Sequence, residues 1–153
     1  MNRTIKIVLP VLILLFIACS HYDSLQKNGV ESSANKSSHN SGQDCMRCHN
    51  DDKHEASFYA WWNVAGTIFK GSGALNTEAR IELWSEPNGK GFRILSLATD
   101  KDANFYSEKI IKFNGGCYPI AISGVDTVAM SQSFNGGGCN SCHGVSTNKI
   151  IVN

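Results

Sequence analysis

Cys45-Met46-Arg47-Cys48-His49 and Cys139-Asn140-Ser141-Cys142-His143 repeat one pattern, C-x-x-C-H. The spacing has a chemical meaning. Two thiols about one helical turn apart can each add to a vinyl group on the same porphyrin edge, and the following His can place an imidazole nitrogen on the iron. The pattern is the attachment signature of c-type haem. Two copies predict two covalently attached haems c, with Cys45, Cys48, Cys139 and Cys142 as the attachment points and His49 and His143 as the proximal iron ligands.

Each iron then needs a sixth ligand, and the pool is small. His39 precedes Cys45 on a polar stretch and could fold back over the first haem. His54 follows His49 on an expected helix and could reach the second haem if the two lie close. His21 lies next to the N-terminal anchor and Met46 lies inside the first motif, so neither is well placed. Two spare histidines for two irons favour coordination by two histidines at each iron. Met130 reads as a core strand residue rather than a ligand, although a Met would raise the reduction potential relative to a second His.

The N-terminus supplies the compartment. Arg3 and Lys6 precede an apolar run from Ile7 to Ala18, too short for a comfortable membrane span and typical of a signal peptide. The run ends in Phe16-Ile17-Ala18-Cys19, which resembles a bacterial lipobox, with Phe16 where Leu is usual. The resemblance implies lipidation at Cys19. Ser20 after the anchor leans toward the outer membrane by analogy with lipoprotein sorting. Haem c is attached outside the cytoplasmic membrane, so export and C-x-x-C-H support each other. An ordinary cleaved signal peptide remains the plainer alternative.

The rest of the composition excludes more than it specifies. The 153 residues carry 14 Lys and Arg against 13 Asp and Glu, a net +1 that becomes −1 once Arg3 and Lys6 are removed. No basic field exists to draw in nucleic acid, and attachment to a membrane would be by lipid, not charge. Of the six cysteines, Cys19 goes to lipid and four to haem. The remaining Cys117 sits in an apolar stretch and reads as a small buried core residue.

Three segments follow. Residues 1–18 form the signal peptide. Residues 19–43 are rich in Ser, Asn, Lys, His and Gly and read as a flexible tether, with a reach of roughly 25–30 Å. Residues 44–153 form the haem-binding domain. Asp51 and Asp52 suit the start of a short helix after the first motif. Residues 61–133 alternate like strands, with turns at Lys70–Gly73, Pro87–Gly91 and Asp100–Asn104. The predicted strands include 64–69, 79–84, 92–97, 105–106, 109–113, 117–123 and 127–133. Trp61 and Trp62 either close the end of the sheet structure or pack on a haem. Gly136-Gly137-Gly138 reads either as room for backbone to curl round a macrocycle or as a plain flexible turn. The tail Lys149–Val152 suits an edge strand or a haem cover. The fold class is mainly β, an antiparallel β-sandwich with short helical haem-binding segments at both ends.

Residues 61–133 resemble the carboxypeptidase regulatory-like, prealbumin-type sandwich. The likeness rests on Val64-Ala65-Gly66-Thr67-Ile68 with its glycine turn, on Ala79-Arg80-Ile81-Glu82-Leu83, and on Asp100 to Phe105. It covers about half the chain and implies a fold rather than a function. With its two haem motifs, the chain resembles small envelope dihaem cytochromes in which haem segments are joined to a β-domain.

The leading expectation is a lipid-anchored dihaem c-type cytochrome of the bacterial envelope. It would pass single electrons to other redox proteins from the periplasmic or outer face of the outer membrane. No nucleophile–base set, phosphate loop or paired acid marks an enzyme. A different class remains open: the two C-x-x-C pairs could hold one structural zinc through four thiolates on a β-sandwich binding or interaction lipoprotein. A His after both pairs, and about 90 residues between them, speak against it. Redox-active C-x-x-C disulfides are a third reading, but no thioredoxin-like pattern surrounds them.

Overall fold

Ala79, Ile81 and Leu83 turn inward and Arg80 and Trp84 outward, as simple alternation dictates for a strand with one covered face. The computed structural model describes residues 31–32, 37–49, 62–113 and 115–153. Those residues are mainly β. The strands are β1 (Glu31–Ser32), β2 (Val64–Phe69), β3 (Ala79–Glu86), β4 (Lys90–Ala98), β5 (Asn104–Ser107), β6 (Tyr118–Ser123), β7 (Asp126–Ala129) and β8 (Ile150–Ile151). They make a five-stranded sheet in the order β1-β4-β3-β6-β7 and a three-stranded sheet in the order β5-β2-β8. Within the larger sheet only β1 runs parallel to its neighbour, and in the smaller one only β8 does.

The two sheets share one core. Ile81, Leu83, Leu95, Leu97 and Ala121 come from the larger sheet and Val64, Ile68 and Phe105 from the smaller. This arrangement is consistent with the expected sandwich. Cys117 is fully buried in the same core, and burial pushes its thiol up to about 11. The outer face of β3 carries a polar cluster. Glu82 accepts from Arg80 Nε at 3.2 Å, from Arg93 at 3.1 Å and from Trp84 Nε1 at 3.0 Å.

Strand β2 departs from one-sided alternation, since all six of its residues are buried. Gly66 lies against Phe105 and Cys139, so any side chain there would collide with both. Along the edge opposite β5, β8 pairs only with Ile68 and Phe69. The two earlier donors on that edge find other partners. Ala65 N donates to Gly137 O at 2.9 Å, and Thr67 N donates to the Asn140 side-chain oxygen at 2.8 Å. A buried strand edge leaves no donor unpaired, and here the second motif segment completes it.

The tail forms the edge strand that its sequence suggested. It is pinned by Val152 N to Phe69 O at 3.0 Å and by Asn76 Nδ2 to Val152 O at 2.8 Å. One expectation is corrected. Residues 109–113 are not a strand: Ile110 is exposed, and Ile111 N donates to the Asn63 side chain instead of to a neighbouring strand. Parts of the stretch read as a tether bond to the sheets. Residues 31–32 pair with Leu97 and Ala98, and Ser37, Ser38 and Ser41 bond to Asp102. Those hydrogen bonds to its carboxylate lower the Asp102 pKa. The lipidation site Cys19, the signal segment, His21, His54, Trp61 and the helix expected after the first motif lie outside the described residues. Among the described residues, no helix is long and apolar enough to cross a membrane.

Candidate haem-binding sites

Both C-x-x-C-H segments take the same backbone form. Cys45–Arg47 and Cys139–Ser141 are single 3₁₀ turns. In each, the second Cys N–H and the His N–H both donate to the first Cys carbonyl, the His bond measuring 3.0 Å in both. The spacing therefore closes one turn and carries the His past its end. The N-caps differ. Asp44 accepts from Met46 N, whereas Gly138 offers no side chain.

The segments also touch. Met46 packs directly on Gly138, and Gly137 runs so close to the Asn63 carbonyl and Val64 that no side chain could fit. The glycine run therefore serves close backbone packing at the entry to β2, a role that neither sequence reading had offered. One chain of hydrogen bonds joins the two sites. Thr67 accepts from Gly42 N and donates to Asn104 Oδ1, while Asn104 Nδ2 donates to the His39 carbonyl at 3.1 Å. Thr67 N reaches Asn140 in the second motif.

At the first site, Cys48 is exposed and Cys45 and His49 are half-buried. The His49 ring stacks on Trp62 with centroids 3.8 Å apart, and Trp62 stacks in turn on Tyr106 at 4.5 Å. Trp62 thus holds the imidazole, which neither sequence option for it had included. The His39 ring lies 5.8 Å from the His49 ring, and both face a small cleft that Cys45 and Cys48 also line. The structure therefore places His39 and the first motif around one cleft. Burial raises the Cys45 thiol above its ordinary value.

At the second site, Cys142 is exposed and His143 half-buried, while Cys139 is buried at the floor of a groove of about 330 Å³. The groove opens between the sheets. Ile81 and Ala121 line it from one side and Ile150 from the other, and Met130 and His143 also line it. Burial, reinforced by the neighbouring Cys117, Cys45 and Cys142, pushes the Cys139 thiol up to about 12. His143 Nδ1 lies 2.8 Å from the Asn148 carbonyl. A carbonyl can only accept, so Nδ1 carries the proton and Nε2 is left as the basic nitrogen. That second contact sets the tautomer a metal-binding imidazole needs.

The donor sets suit c-type haem. Each site offers two thiols and an imidazole on one turn, beside an open cleft or apolar groove. Among the described residues, no three His, Cys, Asp or Glu side chains form one preformed metal-binding group. The five described cysteines are free thiols rather than disulfides. Met130 is half-buried at the end of β7 and lines the groove, so it is not the core residue its sequence context suggested. Asn140, Thr67 and Asn104 escaped the sequence reading. A polar Asn between the two cysteines of a motif gave the only signal.

The chain matches no protein-family model, and no curated protein or solved structure is similar to it.

Proposed function

We propose that this chain is a dihaem c-type cytochrome, lipid-anchored at Cys19, that passes single electrons among redox proteins of the bacterial envelope. Its haem-binding segments flank a β-sandwich. The observation that carries the reading is the repeated turn: two C-x-x-C-H segments, 89 residues apart, close on the same carbonyl and present a His beside an opening.

Bound haem iron would supply reversible one-electron chemistry. The chain supplies the rest. Cys45 and Cys48, and Cys139 and Cys142, provide the thioether sulfurs. His49 and His143 provide proximal nitrogens, one oriented by Trp62 stacking and the other by the Asn148 carbonyl. His39, whose ring lies 5.8 Å from that of His49, would offer a second nitrogen to the first iron. The apolar walls of the second groove would limit water around a group bound there. The thiols and imidazoles of both sites are assigned to holding haem, so the reading is electron transfer.

The test is direct. Produced in a host with haem-c maturation machinery, the protein should be red and heavier by two haems that survive denaturation. C45A/C48A and C139A/C142A should each remove one haem. Colourless protein binding one zinc would overturn the proposal.

A further inference from the structure

Besides Cys139, the second groove holds one other sulfur donor, the Met130 thioether. Met130 follows β7, and its backbone is fixed by Met130 N donating to Pro119 O at 3.0 Å. Its side chain lines the same groove as Cys139 and His143. The competing donor on that wall is Lys149, but its Nζ sits 4.2 Å above the Phe69 ring and is engaged there. His39 belongs to the other cleft, 5.8 Å from His49. A thioether and an imidazole of fixed tautomer that line one apolar groove are a donor pair suited to iron.

From this we infer that Met130 is the distal iron ligand at the second haem, so that the two irons are inequivalent. The inference rests on the dihaem reading. The first iron takes His49 and His39, and the second takes His143 and Met130. Met ligation and the dry groove both raise the second potential relative to the first. An electron entering the protein therefore settles at the second haem, and transfer within the chain runs from the His39 end toward the groove.

The experiment uses the holoprotein and its variants M130L, M130H and H39A. Haem count by denaturing mass comes first. Absorption and paramagnetic resonance spectra of the oxidised protein follow, then a redox titration. M130L keeps nearly the same volume, so the fold should survive. Wild type should show the methionine–iron charge-transfer band in the red and two separate potentials. M130L should keep two haems but lose that band, and its higher potential should fall or its second iron become high-spin. M130H should bring the two potentials together. H39A should leave the band in place. Two covalent haems with no methionine band in wild type, or a band unchanged in M130L, would overturn the ligand assignment while leaving the cytochrome reading intact. Fewer than two covalent haems in wild type would overturn both.

Discussion

Asn140 occupies a motif position where most side chains would serve, yet it is buried and receives the Thr67 backbone N–H at 2.8 Å. Its removal strands that donor at a strand edge that no other strand covers. A buried unpaired donor costs about 1–3 kcal/mol. Asn140→Ala should therefore lower stability by that amount in a denaturant titration. Asn140→Asp keeps an acceptor at the same place and should recover part of the loss. Equal stability of the Ala variant and wild type would show that the strand edge is satisfied by other means. The residue scale was only half legible in sequence. The two cysteines and the His of each motif announce themselves through spacing. Asn140 does not, because its partner is a backbone group 73 residues away. Met130 was misjudged for a related reason: whether a residue beside a strand faces core or groove depends on how the sheets diverge, which no local pattern records.

Among the elements, β3 was readable face by face, whereas β2 was placed over the right residues without its burial on both faces being legible. Strand β3 alternates because one face meets the core, so Ala79, Ile81 and Leu83 separate cleanly from Arg80 and Trp84. Strand β2 is covered on both faces and loses that signature. The segment 109–113 looked like a strand because its apolar residues do pack on the core, as Ile111 and Phe113 show, but its hydrogen bonding goes to Asn63. Gly66 tests the packing of β2. A methyl there would meet Phe105 and Cys139, a rigid ring and a side chain fixed by its own turn. Overpacking of this kind costs about 1–3 kcal/mol, and Gly66→Ala should show a loss of that order in thermal unfolding. The outer face of β3 makes a prediction in pH. Burial alone would raise the Glu82 pKa, but the bonds from Arg80, Trp84 and Arg93 outweigh it and hold the carboxyl below its ordinary value of 4.5. A depressed folded pKa stabilises the protein above the unfolded value and loses that contribution as pH falls through the folded one. Wild type should therefore lose stability below about pH 4.5, and Glu82→Gln should flatten that part of the profile in melts across the acid range.

For the whole molecule, the sandwich and the second haem segment form one structure rather than a domain with an appended cofactor. The segment completes the β2 edge through Gly137 and Asn140, and its Cys139 belongs to the core shared by both sheets. Its groove, about 330 Å³, carries exposed Val128 and Ile151 on its rim, over the buried Ile81 and Ala121. A macrocycle seated there would take this apolar surface out of water, and such burial is the main force holding small domains together. The first cleft is different. It is small, about 50 Å³, and lined largely by polar groups such as Asn40, Gln43, Asp44 and Asn104. On the proposed dihaem reading, the two haems should therefore contribute unequally to the fold. Melting should rank the holoprotein highest, the C45A/C48A variant carrying only the second haem a little lower, and the chain made without maturation machinery well below both. The apolar wall predicts weak self-association of that form in sedimentation, absent from the loaded protein. If the apo chain instead melted at the temperature of the holoprotein, the groove would be stable while wet, and the sandwich would stand independently of the second haem.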